Sequence, residues 1–488
     1  MKEIIIVGAG LGGLTAGNLL AKKGHKVTIF ESHSMPGGYT AGFYRKGFYF
    51  ESGTLALEAS ASVFKAMKDI GVFEQIEFVR QEIRYVSKNL DSIPENFDDY
   101  KKMIYSACLY EKKTLDNFFG EIDKLKKLMN NMGGPAPSLF DGFEGVIKAL
   151  PCIIAGAKLM VSARKYLGMT SSEFLEKYFE RDSMLYKLFT IGYPDMPVLL
   201  LCPEWVLKDY WTVKSGMQSW ANVLAENFRN LGGDLKLNSY VDRIITKKGT
   251  AAGVSCKNKI YNADYVISAS DYKKTFLKLL DNQSLMSEEL KDKINKTPVS
   301  EGFFTVYLGL NMPNEELVKY LKVPHVYIID DKFDRDIYNS TLVSFYSPSL
   351  VNPRHAPEKK SSLMLQAMAP YHWMNNWGGG NSETYKQLKE KVMNAIIDNA
   401  SKLIPNLKEC IEYKDAATPL TYERFTHNTD GASSSWSWNP KKKFYKNPMS
   451  VNIKTPVKNL YIGSCWATQN GGIIGALLAA YECVKKIK

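Results

Sequence analysis

The chain has 488 residues, a formal net charge of +12 and 45% hydrophobic residues, so it is long enough to form more than one hydrophobic core. Its seven cysteines have an odd count and no C-x-x-C spacing, and its six histidines are scattered. These features argue against a disulfide framework and against a metal site, and they favour a cytoplasmic protein with reduced thiols. The basic excess comes without a helix-turn-helix, zinc-finger or RNA-binding signature, so we expect no nucleic-acid partner.

Residues 1–31 predict a strand, a glycine turn, a helix and a second strand. Gly8 permits the tight turn, Gly10 allows a pyrophosphate to approach the backbone, and Gly13 allows the helix to pack closely on the sheet. The amides at the start of the helix and its dipole favour phosphate. Glu31 ends the second strand, where it is placed to accept hydrogen bonds from a ribose diol. The pattern predicts a dinucleotide site.

Two other interpretations compete for residues 4–21. The apolar stretch follows Lys2, as in a signal peptide or a membrane span, but its five glycines and Asn18 make a poor spanning helix. An α/β domain whose glycines serve only packing is the second alternative, and it leaves Glu31 unexplained. We therefore favour the dinucleotide site.

A second glycine pair follows the acidic residue. Gly37, Gly38 and Tyr39 precede the segment FYFESG at 48–53, whereas a nicotinamide domain usually continues directly into further β-α repeats. At this point the chain resembles the flavin-dependent phytoene desaturase family, which includes carotenoid isomerases and retinol saturases. In that family the acid is followed by a Gly-Gly pair and by an aromatic-acid-x-Gly segment near the flavin. Many members of the wider amine-oxidase superfamily have arginine where this chain has Tyr39.

The resemblance returns in the middle of the chain and towards its end. In residues 211–277 a helix is predicted to open at Gly216, with strands after it at 235–237, 241–245 and 265–269. In the family this block completes the flavin domain, and the residue matching Val241 lies against the adenine through its backbone. Residues 416–431 resemble the family's threonine-proline and glutamate-arginine segment, which precedes the last flavin-binding element.

The closing segment has its own chemistry. Residues 459–486 resemble the family's last strand, glycine turn and long C-terminal helix. Free amides and the positive end of the dipole at residues 471–474 would stabilise negative charge on the pyrimidine edge of a reduced flavin. A glycine-started packing helix is the alternative. The residues that we assign to FAD are Gly8, Ala9, Gly10, Leu11, Gly12, Gly13, Glu31, Gly37, Gly38, Tyr39, Val241, Gly463, Gly471, Gly472, Ile473 and Ile474.

These segments imply an α/β fold with a Rossmann-type FAD-binding domain of the glutathione-reductase kind and an inserted mixed α+β cap domain for the substrate. The flavin domain is predicted to be discontinuous, with residues 1–80, 210–300 and 415–488. The cap domain would contain residues 81–209 and 301–414.

Several segments of the cap have a pattern of their own. A strand is predicted at 303–310, an amphipathic helix at 386–403 and a flexible loop at 376–381. The apolar run at 196–203 suits a core strand better than the lining of an apolar tunnel. The apolar stretch at 143–166, with basic flanks, suits either an anionic membrane surface or a buried cap helix.

No residue is assigned as the catalyst. Five residues are candidates because the three flavin-domain segments would bring them near one site: Tyr39, Tyr422, Arg424, His427 and Trp436. For each of them we favour a structural role over a catalytic one. Cys465 lies close to the glycine turn and is better explained as a small buried side chain than as a redox group.

The function predicted from the resemblance is an FAD-dependent oxidoreductase that desaturates or saturates carbon–carbon bonds of an apolar polyene, isoprenoid or lipid-like substrate. A flavin amine oxidase, a flavin-retaining isomerase or lipid carrier without net redox chemistry, and a non-catalytic nucleotide-binding protein stay open as alternatives. We expect a cytoplasmic protein, and attachment to the inner face of the membrane depends on residues 143–166. Substrate identity, reaction direction, electron partner and oligomeric state are left open.

Overall fold

The computed structural model describes residues 1–107, 112–130, 164–166, 168–181, 183–329, 342–448 and 450–487. Its strands are β1 (Glu3–Val7), β2 (Lys26–Phe30), β3 (Gly42–Arg45), β4 (Phe48–Glu51), β5 (Phe78–Arg80), β6 (Ile83–Ser87), β7 (Leu90–Ser92), β8 (Trp211–Val213), β9 (Asp234–Lys236), β10 (Val241–Lys247), β11 (Thr250–Cys256), β12 (Lys259–Asn262), β13 (Tyr265–Ser268), β14 (Gly302–Leu310), β15 (His325–Ile329), β16 (Leu342–Tyr346), β17 (Ser361–Ala369), β18 (Ile411–Ala417) and β19 (Leu460–Ile462). The α-helices include Leu11–Lys22, Ser60–Ile70, Phe97–Ala107, Lys112–Asn130, Ser171–Leu175, Met184–Thr190, Val198–Val206, Met217–Asn230, Glu288–Lys296, Asn314–Leu321, Ser382–Ala400, Pro419–Thr426 and Gly472–Lys486.

A five-stranded parallel sheet in the order β19-β13-β1-β2-β9 forms the first layer. Its central strands are continuous apolar runs, as expected for a sheet covered on both faces, and Ile4, Ile6 and Ile267 are buried. The helices Leu11–Lys22 and Gly472–Lys486 pack against each other beside this sheet. All five strands present their carboxyl ends at one edge, where ligands bind in open α/β sheets.

A seven-stranded mixed sheet, in the order β18-β14-β17-β16-β15-β6-β7, forms the second large layer. Its neighbouring strands are antiparallel except β15 and β6, which run parallel. The helix Ser382–Ala400 packs on it through Val392 and Ile396, in one core with Phe304 and Leu308 of β14. A helical layer between residues 97 and 206 has a separate aromatic-rich core. Both layers contribute residues to one cavity, among them Phe303 and Tyr327 from the sheet and Ile191 and Tyr193 from the helical layer.

The predicted elements of the first sheet are confirmed, as are the predicted strand in β14 and the predicted helix in Ser382–Ala400. The core strand predicted at 196–203 is wrong, because Val198–Val206 is a helix that starts after Pro197. Residues 376–381 do not form an open loop, since Trp377 is buried in a left-handed turn that follows Trp373.

The apolar stretch predicted at 143–166 lies outside the described residues except for its last three. Among the described residues, no helix is both apolar enough and long enough to cross a bilayer.

Candidate active site

A cavity lies at the carboxyl edge of the five-stranded sheet and brings together residues from both ends and the middle of the chain. The predicted cofactor residues that line it are Gly8, Gly10, Leu11, Gly12, Glu31, Gly37, Gly38, Tyr39, Val241, Gly472 and Ile473. The other five predicted residues stand next to this lining in the chain and do not border the cavity: Ala9, Gly13, Gly463, Gly471 and Ile474.

The glycines of the first turn have different roles. A Cβ built on Gly10 would meet nothing within 4 Å, and the residue borders the cavity, so its missing side chain leaves room for a ligand. A Cβ on Gly12 would lie 2.2 Å from the carbonyl oxygen of Gly463, and one on Gly13 would lie 2.0 Å from that of Gly8. Gly12 and Gly13 are therefore required for close packing. Space for a pyrophosphate at Gly10 fits the cofactor that the sequence predicts.

Glu31 is tied to the glycine turn. The Ala9 amide donates to its Oε2 at 2.7 Å, and the His33 amide and the Ser32 hydroxyl donate to its Oε1 at 2.8 and 3.1 Å. The Gly37 amide donates to the Ala9 carbonyl at 2.9 Å, which joins the second glycine pair to the first turn. A carboxylate has about four acceptor positions. Glu31 thus fixes the turn and keeps acceptor capacity for a ribose hydroxyl at the cavity.

The N-terminus of the helix Gly472–Lys486 also reaches this cavity. The Gly472 amide donates to the Ser434 hydroxyl at 2.8 Å, and the Gly471 amide donates to the Thr468 hydroxyl at 3.1 Å. None of the hydrogen bonds described at this turn uses the amides of Ile473 or Ile474. These two amides and the helix dipole suit an anionic cofactor edge.

Asp271 is a cavity residue that sequence reasoning missed. Its side chain is buried and accepts the amides of Lys274 and Thr429, each at 2.7 Å. Burial raises the pKa of this carboxyl group, against the lowering effect of those two hydrogen bonds. Asp271 follows the end of β13, as Glu31 follows β2. An acidic residue shortly after a strand is the pattern that identified Glu31, and the same pattern occurs at Asp271.

The cavity at the edge of the parallel sheet is called the cofactor cavity below. Tyr39 lies between it and a second cavity, which is bordered by the mixed sheet. Its hydroxyl donates to the Ala432 carbonyl at 2.8 Å, and its ring stacks on Tyr422 with centroids 5.6 Å apart. Thr54 and Ser433 border both cavities as well. The two cavities therefore meet at these three residues.

The FYFESG segment shapes this junction. Gly53 packs on Tyr39 so closely that a Cβ would lie 2.4 Å from its ring. Glu51 is buried and does not border either cavity; it accepts the Met217 amide at 3.0 Å and the Tyr49 hydroxyl at 2.8 Å. Burial raises the pKa of Glu51 to about 8. Glu51 acts on the start of the helix Met217–Asn230 rather than on a ligand.

Of the remaining candidates, His427 and Cys465 border the first cavity, whereas Tyr422, Arg424 and Trp436 do not. Trp436 is buried and stacks on Phe444 at 3.9 Å between centroids, and the guanidinium of Arg424 lies 4.6 Å from the Phe425 ring centroid. The Tyr422 hydroxyl is hydrogen-bonded to Thr305, and His427 adopts a left-handed conformation at the end of its helix. Burial raises the pKa of the Cys465 thiol to about 12, which keeps it protonated at neutral pH.

The second cavity has a mixed lining. Leu55, Ile191, Phe303 and Met368 supply apolar surface, and its polar side includes Glu58, Tyr193, His325, Tyr327 and Gln366. The lining thus combines an apolar side with polar groups, and it is compatible with an amine as well as with a polyene.

Known proteins resemble this chain along almost its whole length. The family model for flavin-containing amine oxidoreductases matches residues 11–488. The chain is 25% identical to a chloroplastic prolycopene isomerase from an Oncidium hybrid cultivar, over 99% of this chain and 83% of that one. It is 25% identical to the all-trans-retinol 13,14-reductase of Danio rerio, over 99% of this chain and 85% of that one. It is 27% identical to a 4,4'-diapophytoene desaturase from Methylomonas, over 91% of this chain and 88% of that one.

A crystal structure of an oxidoreductase from Methanosarcina mazei has the same fold, with a TM-score of 0.65 at 16% identity over 99% of this chain and 100% of that one. This likeness confirms the predicted α/β fold. The family match confirms the predicted flavin cofactor, and the space at Gly10 is consistent with it. The chain belongs to the flavin-containing amine oxidoreductase family and is an FAD-dependent oxidoreductase.

Proposed function

We propose that this enzyme desaturates or saturates a carbon–carbon bond of an apolar polyene, isoprenoid or lipid-like molecule. The observation that carries the proposal is the agreement among three relatives matched over nine-tenths or more of this chain. They are named for isomerising prolycopene, reducing retinol and desaturating diapophytoene. The second cavity supports the proposal because it meets the cofactor cavity at Tyr39, Thr54 and Ser433.

In this proposal the first cavity binds the cofactor and the second cavity binds the substrate. In the first cavity, Gly10 would leave space for the pyrophosphate, Glu31 would hold the ribose, and the amide of Ile473 would stabilise negative charge on the flavin. The apolar side of the second cavity, at Phe303 and Met368, packs against the substrate and excludes water. FAD supplies or accepts a hydride when it is bound.

The experiment is anaerobic mixing of the FAD-loaded enzyme with prolycopene, all-trans-retinol or 4,4'-diapophytoene in detergent micelles, with putrescine as the amine probe. We expect a polyene either to bleach oxidised flavin or to reoxidise flavin reduced beforehand. Bleaching by putrescine alone would contradict the proposal and favour the amine oxidase. A change in double-bond geometry without any net change in flavin redox state would favour the isomerase.

We also propose that residues 1–80, 210–300 and 415–488 make up the flavin domain. The supporting observation is that every strand of the five-stranded parallel sheet comes from these three ranges. The two inserted ranges would form the cap domain.

Docking to an anionic membrane through residues 143–166 is a further part of the proposal, supported by their apolar sequence with basic flanks. We expect the protein to sediment with anionic vesicles at low salt, and less so at high salt. The double change Ile153→Asp and Ile154→Asp should weaken this binding. No sedimentation of the wild type would contradict docking.

A further inference from the structure

A buried histidine on the wall of the second cavity has a ring nitrogen without a partner. His325 borders this cavity and is only 3% exposed. Its Nε2 is hydrogen-bonded to the Ser344 hydroxyl at 2.8 Å, whereas its buried Nδ1 has no partner among the described residues. A buried polar atom without a hydrogen bond costs free energy and is uncommon in folded proteins. A ligand in the cavity could supply the missing hydrogen bond.

The register of the mixed sheet places His325 on the face that borders the cavity. Tyr327 pairs with Ser344 of β16, which in turn pairs with Gln366 of β17, and all three border the second cavity. His325 stands two residues from Tyr327 on β15, so its side chain is on the same face of the sheet. Val326, between them, belongs to the apolar core on the opposite face.

The side chains next to the ring are uncharged. The ring centroid of His325 lies 5.0 Å from that of Tyr327 and 5.9 Å from that of Tyr346, whose hydroxyl is hydrogen-bonded to Thr212. Burial lowers the pKa of His325 to about 4, so the ring itself is neutral at pH 7. An ammonium or carboxylate group beside the ring would lose water and gain only neutral partners from these side chains, which is unfavourable. The ligand group that suits Nδ1 is therefore uncharged.

A hydroxyl group suits Nδ1 in either tautomer of the ring. The Ser344 hydroxyl can donate to Nε2 or accept from it, so Nδ1 carries the proton in one tautomer and is an acceptor in the other. A ligand hydroxyl accepts a hydrogen bond from the first form and donates one to the second. A carbonyl oxygen only accepts, and therefore fits just one of the two.

His325 lies across the sheet from the junction of the two cavities. At the junction the Tyr39 ring stacks on Tyr422, whose hydroxyl is hydrogen-bonded to Thr305 of β14. Strands β17 and β16 separate β14 from β15, which carries His325. Neighbouring strands are about 4.8 Å apart, so three spacings put about 14 Å between β14 and β15. His325 is thus placed to hold one end of a long molecule while another part lies at the junction.

We propose that His325 binds a hydroxyl group of the substrate, so that the enzyme acts on a polyene or isoprenoid alcohol in preference to a pure hydrocarbon. This inference rests on the proposed function, because it takes the second cavity as the substrate site. His325 is a positioning residue: its Nδ1 fixes the hydroxyl end, while Phe303 and Met368 pack against the apolar chain.

The first test compares two ligands that differ only in the hydroxyl group. They are all-trans-retinol and the hydrocarbon in which hydrogen replaces its hydroxyl, each added in detergent micelles to the FAD-loaded enzyme. Quenching of tryptophan fluorescence by the polyene measures both dissociation constants. We expect the alcohol to bind about tenfold more tightly or better, because the hydrocarbon leaves Nδ1 unpaired. Equal affinities, tighter binding of the hydrocarbon, or no binding of either ligand would overturn the inference.

The second test changes the histidine. His325→Phe keeps a ring without nitrogen, so the two ligands should bind it equally within about twofold. His325→Asn keeps a polar group near the Nδ1 position and should recover part of the preference for the alcohol. An unchanged preference in His325→Phe would overturn the inference, and the comparison in the wild type decides by itself where this variant does not fold.

His355→Phe is the matched control. His355 is buried like His325, but its Nδ1 is hydrogen-bonded to the Pro348 carbonyl at 3.1 Å, and it does not border the second cavity. This variant should keep the preference of the wild type for the alcohol. Loss of the preference in His355→Phe and His325→Phe alike would overturn the specific role of His325.

The outcomes separate this inference from the proposed function. Conversion of prolycopene or 4,4'-diapophytoene by an enzyme that binds the two test ligands equally would overturn the inference and leave the proposed function standing. Bleaching of the flavin by putrescine alone would overturn the proposed function, and the inference with it.

Discussion

The amide of Ala9 and the carboxylate of Glu31 are joined by a hydrogen bond of 2.7 Å beyond the carboxyl ends of the neighbouring strands β1 and β2. The acid that sequence reasoning assigns to the ribose thus also fixes the glycine turn that would receive the pyrophosphate. We therefore expect binding of the ribose and binding of the pyrophosphate to be coupled through this one side chain.

Replacement of Glu31 by glutamine should weaken FAD binding by about tenfold to 100-fold, since hydrogen bonds to a charged group contribute about 1.5–3 kcal/mol. Titration of the apoprotein with FAD, followed by flavin fluorescence, measures this change. The Ala9 amide loses its charged acceptor, so we also expect a lower melting temperature for the apoprotein. Equal FAD affinity in Glu31→Gln and wild type would contradict the assigned role.

Replacement of Gly10 by valine should remove FAD without unfolding the protein. The backbone at Gly10 has a φ of −70°, which any residue adopts, and a Cβ there meets only open space. The side chain would fill the pyrophosphate position, and we expect the affinity to fall more than about 100-fold, or about 2.8 kcal/mol. The flavin-to-protein ratio after purification measures the effect.

Two other glycines serve as comparisons for Gly10→Val. Gly120→Ala, on an exposed helical position, should keep both fold and FAD and add about 0.5–1 kcal/mol of stability. Gly13→Ala should destabilise the apoprotein itself, because its Cβ would collide with the Gly8 carbonyl oxygen. A fully loaded Gly10→Val protein would show that the pyrophosphate lies elsewhere.

Replacement of Ile473 by aspartate should lower the flavin midpoint potential. Ile473 borders the cofactor cavity at the helix N-terminus, so a carboxylate there would oppose the negative charge of the reduced flavin. An interaction of about 1.4 kcal/mol corresponds to about 30 mV for a two-electron couple. Ile473→Asn, of similar shape and no charge, should shift the potential much less. Equal potentials in the two variants would contradict the position of this helix beside the flavin.

Lys208 should make the stability of the protein depend on pH. Burial lowers its pKa to about 7 in the folded state, whereas the unfolded chain has the ordinary value near 10.5. Between these values the unfolded state binds more protons, so the free energy of unfolding should rise as the pH rises from about 7 to 10.5.

Urea unfolding between pH 6 and pH 9.5 measures this dependence on Lys208. Lys208→Met should flatten the rise, while Lys113→Met, at an exposed helical position, should leave it unchanged. An identical pH dependence in wild type and Lys208→Met would show that Lys208 does not titrate in this window.

The lining of the cavity at the edge of the parallel sheet was predictable from sequence because its signals are local. The order of strand, turn, helix and acid in residues 3–31 specifies where Gly10 and Glu31 lie relative to one sheet edge. The glycine pair at 37–38 follows directly and joins the same cavity. Gly13, Gly463 and Gly471, also predicted as cofactor contacts, do not border this cavity, and a Cβ on each would lie within 2.4 Å of a neighbouring atom.

The substrate half was not predictable, because its contacts join distant segments. Leu55, Ile191 and Phe303 border the same cavity although more than 100 residues separate each from the next, and no local pattern signals this. The short apolar run at 196–203 fits a strand and a buried helix equally well, and the helix that follows Pro197 is decided by tertiary packing.

The most direct test is an experimental structure of the protein with FAD bound. We expect the pyrophosphate at Gly10, the ribose at Glu31, and the isoalloxazine where the two cavities meet, between Tyr39 and Ile473. An isoalloxazine ring that points away from the second cavity would contradict the proposal that the two cavities form one active site.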